Sequence, residues 1–349
     1  MAHNLSDDMS VEMSAGMSVE GKARRLRGAA ALFVLLLAAL SFGILAWRYP
    51  LWLVDRRVEA RLRLHGVRSE FVTVNGYKMH YLVGGSGRPL LLVHGLGSRG
   101  VDWANLIPQL IDGGHRVYAL DLLGYGLSSQ PRDAQYSIAD QARIVEAFLD
   151  SQHLPQVDMA GWSMGGWIAM RVALQQPERI RRLVLLDSAG LRFKLGFNPS
   201  IFQPATPTDL AQLEELLVPH PQPLPRFLAM ALLRRGDRIG WVVHRSVQSM
   251  MTGQDLVDGQ LGALTMPVLI GWGEQDRLIP LSVGYSLHQQ ILQSVLDVYS
   301  DCGHLAPARC SDQVGPSVVG FLNAQPAPMA MVRKIPGAST DGHEPVSGQ

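Results

Sequence analysis

Six short apolar runs set the limits on what this chain can fold into. They are PLLLVHG (89–95), HRVYALD (115–121), VDMAGW (157–162), RRLVLLD (181–187), PVLIGWG (267–273) and VLDVYS (295–300). Runs of this length without alternation are what a strand buried on both faces requires. Between them lie stretches with helical spacing, near 102–112, at 136–152 and at 164–176. In the second of these, Ile138, Ala142, Ile144, Val145 and Phe148 fall on one face. Strands alternating with helices predict an α/β domain with a mostly parallel sheet and helices on both of its faces.

The remaining segments modify this frame. FVTVNGYKMHYLV (71–83) reads as two strands joined at Asn75-Gly76, a hairpin signal that makes the sheet mixed. The rhythm breaks between about 190 and 263, where prolines 199, 204, 207, 219, 221, 223 and 225 precede helical runs such as RFLAMALLRR (226–235). That stretch is too long for a plain connection and predicts an inserted helical cap over the carboxyl edge of the sheet. The domain itself is expected over 68–324.

The ends carry other signals. Residues 1–27 read as a flexible tail ending in the basic KARRLR, and 325–349, rich in Pro, Gly and Ser, as a disordered tail. GAAALFVLLLAALSFGILAW (28–47) carries no charge and is long enough to cross a bilayer core of about 30 Å as a helix. Trp47, Tyr49 and Trp52 stand where an aromatic belt would lie. A cleaved signal peptide is the alternative, with Ala39-Leu40-Ser41 as a weak cleavage site; the length of the run favours an uncleaved single-pass anchor. Residues 48–67 read as an amphipathic juxtamembrane segment whose arginines can lie on anionic headgroups. Arginines flank both sides of the run, so charge does not fix its orientation, and an extracytoplasmic domain is the expectation adopted.

Composition excludes several classes. The net charge is +1, with 31 basic and 30 acidic residues, which gives no electrostatic footprint for nucleic acid. Cys302 and Cys310 form no CxxC motif and read as two ordinary thiols, a disulfide remaining open in an oxidising compartment. His80, His115, His153, His220, His244 and His288 are scattered, so no metal is expected, and Gly84-Gly85-Ser86-Gly87 spells neither a phosphate loop nor a dinucleotide fingerprint. No cofactor is implied.

Chemistry concentrates at GWSMGG (161–166). Gly161-Trp162-Ser163-Met164-Gly165 fits G-x-S-x-G, with a strand before it and a helix after it. A serine hydroxyl is a weak nucleophile and needs a base, which in turn needs an orienting acid. GWGEQDRLIP places Asp276, and DCGHLAP places His304, just beyond two strand ends, so both are expected at the same rim as Ser163. Asp187, at the end of 181–187, competes for the role of acid; chain order favours Asp276. The oxyanion donors are expected to be the backbone N–H groups of Met164 and of Leu96 in HGLG (94–97). His94 is read as bracing that loop and Asp121 as a turn former.

HGLG, DLLGYGLS, GWSMGG, GWGEQDRLIP and CGH fall in one order over about residues 70–323, and in this the chain resembles the α/β-hydrolases. The resemblance implies an eight-stranded sheet and the triad Ser163, Asp276 and His304. A serine nucleophile sets the chain apart from family members that use aspartate. The hydrophobic N-terminal run and the cap near PATPTDLAQLEELL (204–217) are similar to membrane-anchored monoacylglycerol lipases and related bacterial esterases. The expected activity is hydrolysis of lipid-like acyl esters. Carbon–carbon bond hydrolysis or acyl transfer with the same triad, and a binding module without catalysis, are the alternatives.

Overall fold

Side-chain alternation along the strands explains why the sheet is buried on both faces. The computed structural model describes residues 27–28, 30–44 and 48–337. In β3 (Arg88–Val93), Leu91 and Val93 enter one hydrophobic cluster while Leu90 and Leu92 enter another on the opposite face. In β6 (Ile180–Leu186), Leu183 and Leu185 alternate in the same way with Val184 and Leu186. Period-two geometry with apolar residues at both parities leaves each face in need of cover. The helices Ile138–Ser151, Met164–Gln175 and Leu281–Gln290 supply it on one side, Ile107–Asp112 and Ser311–Asn323 on the other.

The sheet has nine strands in the order β1-β2-β4-β3-β5-β6-β7-β8-β9. β1 (Arg68–Val74) and β2 (Tyr77–Gly84) form the expected hairpin, with Asn75 at φ 49° and Gly76 at φ 82° in its two-residue turn. β2 also pairs antiparallel with β4 (His115–Leu120). From β4 and β3 onward, through β5 (Val157–Trp162), β6, β7 (Val268–Gly273) and β8 (Ser294–Tyr299), all pairing is parallel. The carboxyl ends of these strands therefore share one rim.

Two expectations need correction. The sheet has nine strands, not eight, because Met331–Ile335, expected within a disordered tail over 325–349, forms β9 beside β8. An edge strand is covered on one side only, so it needs no apolar run. It is held by charge: Arg333 forks onto both oxygens of the buried Asp297 at 2.6 and 2.7 Å. In the cap, RFLAMALLRR does not end at Arg235; Arg226–Met251 is one helix. Gly236 and Gly240 lie within it with open space where a Cβ would stand, so they lower helix propensity without breaking the helix. A second cap helix, Pro207–Leu217, is started by a capping box between Thr206 and Asp209.

The N-terminus stands apart. The chain divides into two units, Met1–Val54 and Asp55–Gln349. In the first, residues 30–44 are helical and exposed, while residues 1–26, 29 and 45–47 lie outside the described residues, as do 338–349 at the other end. Among the described residues no helix is long and apolar enough to cross a membrane. The span expected over 28–47 includes positions 29 and 45–47 and so lies partly outside the described residues. The expected juxtamembrane segment is helical over Pro50–Leu64, and its second half belongs to the larger unit. There Val58 and Leu62 pack into the core, and Arg61 donates to the Ala104 carbonyl at 3.0 Å and to Asn105 at 2.8 Å. That arginine is engaged by protein.

Candidate active site

Ser163 sits on a backbone corner that only its neighbours make available. It joins β5 to the helix Met164–Gln175 with φ 57° and ψ −120°, a strained conformation for a residue with a side chain. Its N–H donates to the Leu186 carbonyl at 2.9 Å, and its own carbonyl accepts from Ala189 at 3.1 Å, so the end of β6 and the loop after it pin the turn. Two glycines let the chains approach. A Cβ on Gly161 would lie 2.3 Å from the Gly165 carbonyl oxygen, and one on Gly165 would lie 2.1 Å from that of Val93. The hydroxyl that results is half-buried at the rim.

The sheet brings the three predicted side chains together. His304 Nε2 lies 2.9 Å from Ser163 Oγ, and His304 Nδ1 lies 2.8 Å from Asp276 Oδ2. Asp276 can only accept from the ring, so Nδ1 carries the proton and Nε2 is left to accept from the serine hydroxyl. The second carboxylate oxygen, Oδ1, accepts from the N–H groups of Leu278 at 2.8 Å and Ile279 at 2.9 Å. Asp276 and His304 are both buried. The imidazole loop is tied to its neighbours as well. Trp162 Nε1 donates to the His304 carbonyl at 2.8 Å, Gln275 N donates to the Cys302 carbonyl at 2.8 Å, and Leu305 N reaches the Leu217 carbonyl of the cap at 3.3 Å.

The other rim residues have structural partners. His94 is fully buried; its Nδ1–H donates to the Gly95 carbonyl at 2.8 Å, and Nε2 accepts from Leu122 N–H at 3.0 Å. Burial pulls its pKa below the ordinary value, against the opposing charge of Asp121. This neutral histidine braces the HGLG loop, as the sequence suggested. A Cβ on Gly95 would stand 3.2 Å from the Cβ of Ser163, so Leu96 adjoins a residue that touches the nucleophile. Met164 is the first residue of its helix, where an N–H has no intrahelical acceptor. Both expected oxyanion donors are thus close to the serine.

Asp121 does more than form a turn. Its Oδ1 accepts from Gly100 N at 2.6 Å, and its Oδ2 from Leu127 N at 2.8 Å and from His80 Nδ1 at 2.7 Å. Burial alone would raise this carboxyl, but the His80 hydrogen bond and charge bring it below its ordinary value. Asp187, the competing acid, does not hold the histidine. Its Oδ1 accepts from Gly273 N at 2.7 Å, and its Oδ2 is buried without a partner. Burial, and next the charge of Asp276, hold it well above the usual carboxylate range.

Several features escape sequence reasoning. Nothing in the serine motif gives Trp162 a role. Asp55 accepts from Arg99, beside the HGLG loop, at 2.8 Å and from Arg235 of the cap at 2.6 Å, a junction no motif announces. Cys302 and Cys310 are not free thiols: they form a disulfide with Cα atoms 6.2 Å apart. Among the described residues no group of three or more His, Cys, Asp or Glu is placed to hold a metal ion.

Comparison with known proteins bears on the fold. The family model for the alpha/beta hydrolase fold matches residues 88–221. A 2-hydroxymuconate semialdehyde hydrolase of Pseudomonas sp. (strain CF600) is 34% identical over 239 residues, covering 63% of this chain and 81% of that protein. The crystal structure of a membrane phospholipase A, described as a bacterial virulence factor, superposes with a TM-score of 0.70 at 26% identity, covering 84% of this chain and 98% of that one. A meta-cleavage product hydrolase from Pseudomonas fluorescens IP01 superposes with a TM-score of 0.64 at 27% identity, over 73% and 97% of the two chains. Strand order, the serine corner and these matches leave one assignment: the chain belongs to the α/β-hydrolase family and is a hydrolase.

Proposed function

We propose that Ser163, His304 and Asp276 form a catalytic triad that cleaves carboxylic acyl esters of lipid-like substrates through an acyl-enzyme. The observation that carries this reading is the unbroken line from hydroxyl to imidazole to carboxylate, at 2.9 and 2.8 Å. As Ser163 Oγ attacks the ester carbonyl, His304 Nε2 takes its proton. Asp276 keeps the ring in the right tautomer and favours its charged form. The N–H groups of Met164 and Leu96 hold the developing oxyanion. The tetrahedral adduct expels the alcohol, which collects the proton from His304. Water repeats the sequence and releases the acid.

The apolar cap supports an acyl substrate. It lays Phe193, Phe197, Phe202, Leu216 and Leu217 against the core, and Leu217 meets the histidine loop. Half-buried apolar side chains of this kind suit a hydrocarbon chain. A second reading, hydrolysis of a carbon–carbon bond by the same triad, is favoured by the 34% identity to a 2-hydroxymuconate semialdehyde hydrolase. Acyl transfer to an alcohol would use the same residues.

The proposal includes location. The uncharged run 28–47 would tether the domain to a membrane, on the extracytoplasmic side. Support comes from the likeness to a membrane phospholipase A and from the disulfide, a bond that persists in oxidising compartments. One experiment tests both parts: turnover by the full chain, and by a chain lacking residues 1–47, of monoacylglycerols and lysophospholipids in vesicles and of 2-hydroxymuconate semialdehyde. Ester turnover that drops on truncation is the expected result. Turnover of the semialdehyde alone would replace the ester reading with the carbon–carbon one, and equal ester rates with and without the run would contradict the tether.

A further inference from the structure

We infer that the Cys302–Cys310 disulfide is a positioning element of the active site, holding His304 in line between Ser163 and Asp276. The inference rests on the triad reading above and adds to it. The bond joins residues eight apart in sequence, and His304 lies within the loop it closes. On the amino side, Cys302 is fully buried two residues before the histidine. On the carboxyl side, Cys310 precedes the helix Ser311–Asn323, which packs on the sheet. The disulfide therefore ties the buried start of the catalytic loop to the start of that helix.

The loop needs that fastening. Asp301, next to Cys302, is held at φ 59°, in the left-handed region that a residue with a side chain avoids. Gly303 leaves no room for a Cβ, which would stand 2.8 Å from the Leu217 carbonyl oxygen. Hydrogen bonds anchor the remainder, among them Gln275 N to Cys302 O, Trp162 Nε1 to His304 O, Leu305 N to Leu217 O, Asn105 Nδ2 to Ala308 O at 2.7 Å and Gln313 Nε2 to Ser300 O at 3.1 Å. Every one of these ends on the backbone and can slide or break singly. Only the disulfide is covalent. Closing a loop of this length also constrains the unfolded chain, so labelling rate and kcat, read beside the folded spectrum, separate the local effect from stability.

Reduction opens the clamp without other chemistry on the chain, which has no further cysteines. A thiolate of a dithiol reagent attacks the half-buried Cys310 sulfur, and Cys302 leaves as a thiolate that takes up a proton. The second thiol of the reagent then displaces Cys310 from the mixed disulfide. Two electrons and two protons pass to the protein, and the reagent ends as a cyclic disulfide.

The test uses the full chain in three forms: oxidised, reduced with a dithiol, and carrying both Cys302→Ala and Cys310→Ala. Fluorophosphonate labelling rate, kcat and KM on a soluble acyl ester, and near-ultraviolet circular dichroism are read for each. The expected result is a folded spectrum in all three. Labelling and kcat fall about 10- to 100-fold in the reduced and doubly substituted forms, KM changes little, and reoxidation restores the wild-type chain alone. Unchanged labelling and kcat after reduction overturn the inference, as does loss of the folded spectrum in both opened forms, which would make the bond a support of the whole fold. An oxidised chain that takes no label contradicts the triad reading itself and this one with it.

Discussion

The indole of Trp162 donates to the backbone carbonyl of His304 at 2.8 Å, so the residue before the nucleophile holds the residue that activates it. Trp162 ends β5 and His304 follows β8; the contact ties two strands that are not neighbours in the sheet. Trp162→Phe keeps most of the ring and removes the donor. A lost neutral hydrogen bond at such a place corresponds to a fall in kcat of about fivefold to tenfold, with KM little changed. Steady-state kinetics on a soluble ester checks it, and an unaltered kcat would deny the indole a positioning role.

Two glycines at the rim should separate folding from chemistry. Gly165→Ala puts a Cβ 2.1 Å from a backbone oxygen of β3, where nothing flexible can yield. We expect loss of activity together with a lowered Tm. Gly95→Ala puts its Cβ 3.2 Å from the Ser163 Cβ and 3.7 Å from Oγ, a contact that crowds the nucleophile. That variant should keep its Tm and lose kcat. Thermal unfolding and turnover measured on both variants decide the matter.

Acid should destabilise the chain in two steps of known sign. His94 and His115 are both lowered below the ordinary 6.5, first by burial. The unfolded chain takes up these protons near pH 6.5 and the folded chain only at lower pH, so their contribution is present above 6.5 and lost as pH falls below it. Asp121, lowered below 3.8, adds a second loss as pH falls through its folded value. Denaturant unfolding from pH 8 to pH 3 of the wild-type chain and of His94→Gln isolates the histidine's share, since the buried Asp187, raised above its ordinary value, works in the opposite direction in both chains. Below about pH 6.5 the wild-type chain should lose stability relative to His94→Gln.

The two buried acids at the rim should respond oppositely to the same substitution. Asp276→Asn keeps shape but disturbs the tautomer of His304, and kcat should fall by about 10⁴. Asp187→Asn keeps the acceptor for Gly273 N and removes a carboxyl that burial holds well above its ordinary value. The unfolded chain ionises Asp187 near its ordinary 3.8, so the wild-type carboxyl weakens the fold increasingly as pH rises above that value. Asp187→Asn should therefore raise Tm, more at pH 8 than at pH 5, with kcat nearly unchanged. Comparable losses of activity in both variants would mean that Asp187 shares the acid's task.

What was legible in the sequence was what strand ends make local. Ser163, Asp276 and His304 each follow an apolar run, and a parallel sheet sends all such ends to one rim. What was not legible depends on pairs distant in sequence or on one-sided burial. β9 is an edge strand, and the partner that fixes it, Asp297, lies 36 residues before Arg333. Cys302 and Cys310 meet because a single helical turn, Ala306–Arg309, folds the chain back between them, which eight residues of spacing do not announce. The junction of Asp55 with Arg99 and Arg235 joins three segments by charge alone, and charges carry no periodicity.

The most direct test is the site and rate of fluorophosphonate attachment, read by intact mass and peptide mapping. The account predicts one phosphonyl group on Ser163 of the wild-type chain, none on Ser163→Ala, and labelling of His304→Ala slowed by about 10³-fold or more. A group found on another residue, or His304→Ala labelled at the wild-type rate, would contradict it.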